Sequence, residues 1–345
     1  MEFLVDYASF LAKTLTVVAA IVAVLIVLAV LRRGRGRQKE GHLEVHSLND
    51  FYKAMRERLE DALIDKDRLK ARRKAEAKAA KLARKDREKD EEARDRVFVL
   101  DFDGDIKASA VESLRHEITA LLTLAKPTDE VVLRLESGGG MVHGYGLAAS
   151  QLARIRQAGV PLTVCVDKVA ASGGYMMACI GNRVLAAPFA ILGSIGVVAQ
   201  LPNIHRLLKK HDVDVEILTA GEYKRTLTVL GENTEKGREK FREDLEATHQ
   251  LFKDFVGQYR PELRMDEVAT GEIWLGTDAL DMQLVDRLAT SDEYLAQRAR
   301  EADLFQLSYV EKKSLPQRFG MGVSQAAEAS LTRFWSRLSE QRFWQ

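Results

Sequence analysis

Hydrophobic and polar positions follow three different rhythms along the chain. Residues 14–31 carry no charge and are rich in Val, Leu, Ile and Ala. Such a run spans or nearly spans a bilayer when residues 10–13 extend it and Lys13 snorkels. Glu2 and Asp6 precede it, whereas Arg32, Arg33, Arg35, Arg37 and Lys39 follow it. A cleaved signal peptide has a shorter apolar run behind a positive start, so the pattern predicts an uncleaved anchor. From 47 to 64 the period becomes helical, with Phe51, Met55, Leu59 and Leu63 recurring every fourth residue. Residues 65–96 are then almost wholly charged residues and alanine. Two readings fit them, a solvated helix held by i,i+4 pairs and a disordered tether. Either is a spacer, and the excess of Lys and Arg up to Lys85 also suits contact with anionic lipid.

The rhythm changes again at Val97. Apolar runs at 97–102, 130–135 and 161–166 read as buried strands, and the helical patterns at 111–125 and 143–158 fall between them. Alternation of this kind predicts a parallel α/β core, in which loops leaving the carboxyl ends of strands build the site. A glycine triplet, Gly138-Gly139-Gly140, and Ser172 both lie at such ends. Residues 183–187 and 191–201 are apolar but broken by Pro188, glycines and Pro202, so they read as core strands and turns rather than a second membrane span. A helix over 203–211, a strand over 213–219 and a long helix over 235–259 follow. Phe241, Leu245, Leu251 and Phe255 are the expected inner positions of that long helix. Residues 271–286 are expected to end the core. The amphipathic tail at 323–344 holds Phe334, Trp335, Phe343 and Trp344, suited to a partner subunit, a membrane face or its own domain. The division that results is an anchor with basic flank (1–40), a charged helical linker (41–96), a catalytic domain (97–310) and a tail (311–345).

Composition narrows the function. Among 345 residues 46% are hydrophobic, enough for a large core, and the formal net charge of +1 gives no electrostatic reason to expect nucleic acid. The two cysteines, Cys165 and Cys179, sit inside apolar runs and read as buried free thiols. Neither they nor the seven histidines show metal-ligand spacing, so neither a metal nor a cofactor is expected.

The chemistry centres on 167–180, DKVAASGGYMMACI. Ser172 stands where an apolar strand turns into an apolar segment of helical character. A serine there is either an ordinary N-cap or a nucleophile whose neighbouring N–H groups hold an oxyanion. A nucleophilic serine needs a base. His143 follows the glycine triplet, but no aspartate is placed to orient it. Lys224 is the other candidate, and it would have to be desolvated to act as a base. The triplet is a turn or, with N–H groups from the Gly139 region and Gly173, an oxyanion hole.

Five blocks in order, ESGGGMVHG, DKVAASGGYMMA, LGSIGV, GEYKRTL and GEIWLGTDALDMQLVD, resemble the signal-peptide-peptidase A family of serine-lysine peptidases. The resemblance implies a membrane-anchored serine endopeptidase with a crotonase/Clp-protease-like α/β core. It makes Ser172 the nucleophile, Lys224 the general base 224 − 172 = 52 residues later, and Ser194 the residue that orients the lysine amine. It makes Gly139 an oxyanion-hole donor beside Gly173. Family members form rings or domes in which neighbouring copies contribute Ser and Lys, so the implied partners are further copies of the chain, the lipid bilayer and extended peptides such as signal-peptide remnants or membrane-protein fragments. Two positions depart from the pattern. Ser137-Gly138-Gly139-Gly140 replaces the common Ser-Pro-Gly-Gly, and Gln283 stands where glycine is common. Two rivals remain, a crotonase-like acyl-CoA enzyme and a non-catalytic membrane scaffold. The expected location is the inner membrane. Flanking charge puts the catalytic domain in the cytoplasm, whereas related signal-peptide peptidases are taken to face outward.

Overall fold

The computed structural model describes residues 10, 13–16, 18, 41–65, 67–75, 78 and 94–311. Most of the expected anchor at 14–31, much of the charged linker and the whole tail at 323–344 lie outside the described residues. Among the described residues no helix is long and apolar enough to cross a membrane. Residues 43–310 form one compact unit.

Its elements, in chain order, are β1 (Gly41–Ser47), α1 (Leu48–Leu63), β2 (Arg96–Gly104), α2 (Val111–Leu122), β3 (Glu130–Ser137), α3 (Val142–Gln157), β4 (Leu162–Val166), β5 (Val169–Ala171) and α4 (Gly173–Ala178). They continue with β6 (Arg183–Ala186), β7 (Ile191–Gly193), α5 (His205–Lys210), α6 (Glu235–Tyr259), α7 (Met265–Val268), β8 (Ile273–Leu275), α8 (Gly276–Asp281), β9 (Arg287–Leu288), α9 (Ser291–Arg298) and β10 (Asp303–Glu311). One mixed sheet runs β1-β10-β2-β3-β4-β6-β9, with β5, β7 and β8 branching from it. The pairings from β10 through β9 are parallel, and β7–β8 is antiparallel.

Parallel strands covered on both faces are apolar throughout, and β2 illustrates this. Phe98, Leu100 and Phe102 point into a cluster with Leu114 and Ile118 of α2 and Leu152 of α3. Val97 and Val99 point the other way, to Leu48 of α1, Cys165, Tyr294 and Leu295. Both cysteines are free and buried. Burial raises the Cys165 thiol to about 12 and pushes the Cys179 thiol up as well, so neither is a reactive thiolate.

The sheet forks at β3. Residues 131–134 pair with β4, whereas Ser137, at the carboxyl end, pairs with Ala170 of β5. The branch β5–β7–β8 thus leaves the main sheet where the glycine triplet begins.

Several sequence expectations are corrected. Residues 213–219 form no strand: the segment is exposed and irregular, and the ladder continues nowhere near it. Within 191–201 the strand is confined to β7, which ends at Gly193 because Gly193 and Ser194 both take positive φ. In α6 the fully buried positions are Phe252 and Val256 and Leu251 is exposed, whereas Phe241, Leu245 and Phe255 are half-buried, Phe255 against the core. Phe51, Met55, Leu59 and Leu63 do lie on a helix, capped by Ser47, but all four are exposed. The core does not end at 286. β9, α9 and β10 follow, and β10 pairs with β2.

Candidate active site

Three loops meet at the fork. The first is the turn carrying Ser172. The register that pairs Ala171 with Gly193 is closed by a bond from the Ser172 N–H to the Gly193 carbonyl at 2.8 Å. Ser172 has φ 52° and ψ −118°, close to the first central position of a type II′ turn, which glycine normally fills. Its side chain caps nothing and is partly exposed. The N-cap reading of Ser172 therefore fails. A strained residue between two packed elements, with its hydroxyl uncommitted, is the geometry of a nucleophile elbow.

The second loop carries Ser194. Gly193 has φ 87°, and a Cβ there would stand 2.7 Å from Trp274 Cδ1, so glycine is required on both counts. The Ser194 N–H donates to the Glu272 carbonyl at 2.6 Å. One residue on, the Ile195 carbonyl accepts from His249 Nε2 at 3.1 Å, which ties the turn to α6. Ser194, itself at φ 49°, thus leaves β7 beside Ser172 leaving β5.

The third loop is the glycine triplet. Gly139 has φ 88°, and a Cβ there would lie 2.8 Å from each of the Ala171 oxygen, the Gly173 nitrogen and Ser172 Cβ. The triplet therefore rests directly on the Ser172–Gly173 peptide. The Gly139 N–H, however, donates to Ser137 Oγ at 3.1 Å in this arrangement. Gly173 is closed in from the other side, because a Cβ on it would meet the Tyr145 ring at 2.4 Å. Burial raises the Tyr145 phenol above its usual range, so its hydroxyl stays protonated.

Ser172, Gly173, Gly139 and Ser194 are thus gathered at one place. No hydrogen bond or ion pair among the described residues joins Lys224 to them. Lys224 is exposed in a turn closed by its N–H to the Gly221 carbonyl at 3.2 Å. That turn is pinned to the start of α6 by Glu222–Lys236 at 2.6 Å and by Lys240 lying 5.7 Å from the Tyr223 ring centroid. No ion pair or hydrogen bond holds Lys224 Nζ among the described residues. His143 is exposed at the start of α3. Among the described residues no group of His, Cys, Asp and Glu is arranged to hold a metal.

The sequence marks Ser137 only as the first residue of the glycine loop, and gives no sign of Tyr145 or His249 at this site. Tyr145 falls on the inner face of α3 with Ala148, Ala149 and Leu152, and that periodicity marks it only as core. The clue is its hydroxyl, because a buried tyrosine needs a hydrogen-bond partner.

Comparison with known proteins gives the site its context. Residues 2–152 match the family described as Peptidase family S49 N-terminal, and residues 154–304 match Peptidase family S49. The chain is 50% identical over 346 aligned residues to a Haemophilus influenzae protein named "Probable protease SohB", covering 98% of each. It is 47% identical over 306 residues to a protein of the same name from Buchnera aphidicola subsp. Schlechtendalia chinensis, covering 86% of this chain and 100% of the relative. Similarity extends to "Protease 4" of Salmonella typhi, 29% identical over 209 residues, which are 59% of this chain and 32% of that protein.

Proposed function

Because this chain belongs to peptidase family S49 and is a serine peptidase, we propose that its chemistry runs on Ser172 as nucleophile and Lys224 as general base. The observation that carries the reading is the backbone of Ser172, held at positive φ with a free hydroxyl, between the glycine triplet and Ser194. In this mechanism Ser172 Oγ attacks the scissile carbonyl while neutral Lys224 takes its proton. The lysine then returns that proton to the leaving amine, and a water repeats the sequence on the acyl-enzyme. Ser194 orients the lysine amine. Gly173 N–H and the Gly139 loop hold the oxyanion. The Gly139 N–H itself donates to Ser137 Oγ, so the loop lines the oxyanion site while Ser137 holds it in place, and Gly173 supplies the N–H that points into the site.

Lys224 is exposed within its own chain, so it would reach Ser172 in an oligomer, where a neighbouring copy desolvates the amine and lowers its pKa. The forked, mainly parallel sheet covered on both faces supports a crotonase/Clp-protease-like core. The uncharged run at 14–31 and the basic residues after it support an N-terminal anchor in the inner membrane, with the domain on the cytoplasmic side by flanking charge. Extended peptides are the substrates, among them fragments of membrane proteins and signal-peptide remnants.

The test is a peptidase assay of the full chain in detergent or nanodiscs beside Ser172→Ala and Lys224→Ala, with fluorophosphonate labelling mapped to its residue. Both variants should lose at least about a thousandfold in kcat, with the label on Ser172. Activity retained by Ser172→Ala would refute the assignment.

A further inference from the structure

Tyr145 is fully buried and touches both sides of the proposed oxyanion site. Its ring lies against the backbone of Gly173, the residue after Ser172. Its hydroxyl lies 2.6 Å from Ser137 Oγ and donates to the Asp105 carbonyl at 2.8 Å. That donation uses the only phenolic proton. The 2.6 Å contact therefore runs from the Ser137 hydroxyl to the tyrosine oxygen, which leaves the Ser137 lone pairs to accept the Gly139 N–H. A single directed chain results, from the Gly139 N–H through Ser137 and Tyr145 to the Asp105 carbonyl. The far end is firm. The Asp105 carboxylate accepts from the Ser109 N–H at 2.8 Å, its carbonyl also accepts from the Ala108 N–H at 3.0 Å, and the next carbonyl, Ile106, accepts from the Met141 N–H at 2.8 Å on the far side of the triplet.

From these contacts we infer that Tyr145 is a positioning residue of the peptidase, whose ring and hydroxyl together set the gap between the glycine triplet and the Gly173 N–H. An ordinary core tyrosine needs one partner for its hydroxyl. This one has two, and one of them orients a serine that grips the triplet. A satisfied buried network of this kind holds a loop rigidly, and oxyanion stabilisation depends on donors standing within a few tenths of an ångström of their places. The inference rests on the reading of Ser172 as nucleophile.

Tyr145→Phe keeps the ring on Gly173 and removes only the hydroxyl. The expected result is a kcat about five- to tenfold lower, the loss of roughly one hydrogen bond's worth of positioning, with KM nearly unchanged. Rates are taken per active site counted by exhaustive fluorophosphonate labelling, which discounts misfolded protein. Affinity for a peptide boronic acid, whose tetrahedral adduct carries the oxyanion, should fall by the same factor. Affinity for the uncleaved peptide, measured on Ser172→Ala with and without Tyr145→Phe, should not change. Ser137→Ala should show the same loss, Ser137→Thr should restore the rate, and the double variant Ser137→Ala/Tyr145→Phe should be no worse than either single one. A lower melting temperature with unchanged kcat per labelled site, or additive losses in the double variant, would overturn the inference. Failure of the wild-type chain to label at Ser172 would instead overturn the nucleophile assignment.

Discussion

The Ser172 N–H and the Gly193 carbonyl, 2.8 Å apart, close the ladder between β5 and β7, and each strand then breaks into a residue of positive φ. Ser172 at 52° and Ser194 at 49° are consequently neighbours in space although 194 − 172 = 22 residues separate them. Side chains held there cost on the order of 1–3 kcal/mol each. Strain of that size persists only where packing on both sides enforces it. Here the Gly139 loop presses from one side, and Trp274, against Gly193, presses from the other.

Relief of that strain is measurable. Ser172→Ala and Ser172→Gly both remove the hydroxyl and should both be inactive, but only glycine removes the Cβ. Set against roughly 0.5–1 kcal/mol of extra chain entropy for glycine, the released strain should leave Ser172→Gly about 1 kcal/mol more stable than Ser172→Ala. Urea titration of the two variants checks this, and a Ser172→Gly protein less stable than Ser172→Ala by roughly 0.5–1 kcal/mol, the entropy cost alone, would mean that the conformation of Ser172 carries no strain.

The strands and helices from Val97 to Val166 are legible in the sequence because burial on two faces leaves long apolar runs bounded by glycine and proline. Ser172 and the glycine triplet are legible as well, since both fall at carboxyl ends of parallel strands. Other features are invisible for physical reasons. β10 alternates poorly, with Gln306 donating to Asp101 and Tyr309 N–H to Glu117, so its polar positions resemble a loop. The exposed stripe of α1 shows that a helical period reveals the helix but not which face is covered. The irregular stretch at 213–219 is rich in Val, Ile and Leu, and propensity alone cannot tell a strand from an arm that lacks a ladder partner. The Ser137–Tyr145 contact joins two elements through side chains, and no local pattern encodes that.

Glu117 gives a pH prediction of definite sign. It is buried on α2, and burial raises its carboxyl above the usual range; the Tyr309 N–H at 2.8 Å opposes this, and Asp101 adds to the rise. A raised folded pKa means that the native state binds more protons between the unfolded value, about 4.3, and the folded one. Stability from this group is therefore greatest at low pH and falls as pH rises through that window. Glu117→Gln keeps an acceptor for Tyr309 without the charge. It should melt higher than wild type at pH 7 and alike at pH 3.5, and a difference independent of pH would contradict the assignment.

Gln283 explains its own departure from the family pattern. It has φ 62° just past α8, where the Leu284 N–H reaches back to the Ala279 carbonyl at 2.8 Å, a helix end that favours glycine. Its side chain is exposed, and its carbonyl takes the Arg260 Nη2 donor at 2.7 Å, a backbone contact that survives substitution. A left-handed residue with a Cβ costs roughly 1–2 kcal/mol, against roughly 0.5–1 kcal/mol of added entropy for glycine. Gln283→Gly should therefore gain about 0.5–1 kcal/mol in thermal or urea unfolding, with kcat unchanged because the exposed side chain that is removed touches none of the site residues. Destabilisation would show that the side chain makes a contact worth more than the strain.

Lys224, exposed and bonded to none of the other site residues, makes the strongest demand on the proposed mechanism. The stretch that carries the lysine, 196–233, leaves Val198 at 86% and Leu218 at 90% exposure, unusual for a monomer's surface. If a head-to-tail neighbour covers this arm, each site takes Ser172 from one copy and Lys224 from the next. Co-expressed Ser172→Ala and Lys224→Ala chains, each inactive alone, would then form sites in which an intact serine meets an intact lysine. Random assembly of equal amounts makes about one junction in four complete, so about a quarter of wild-type activity should return. A dyad formed within one chain predicts no recovery at any mixing ratio, because every chain lacks one of its two groups. Crosslinking the mixed particle before assay guards against the trivial case in which the two variants never assemble together.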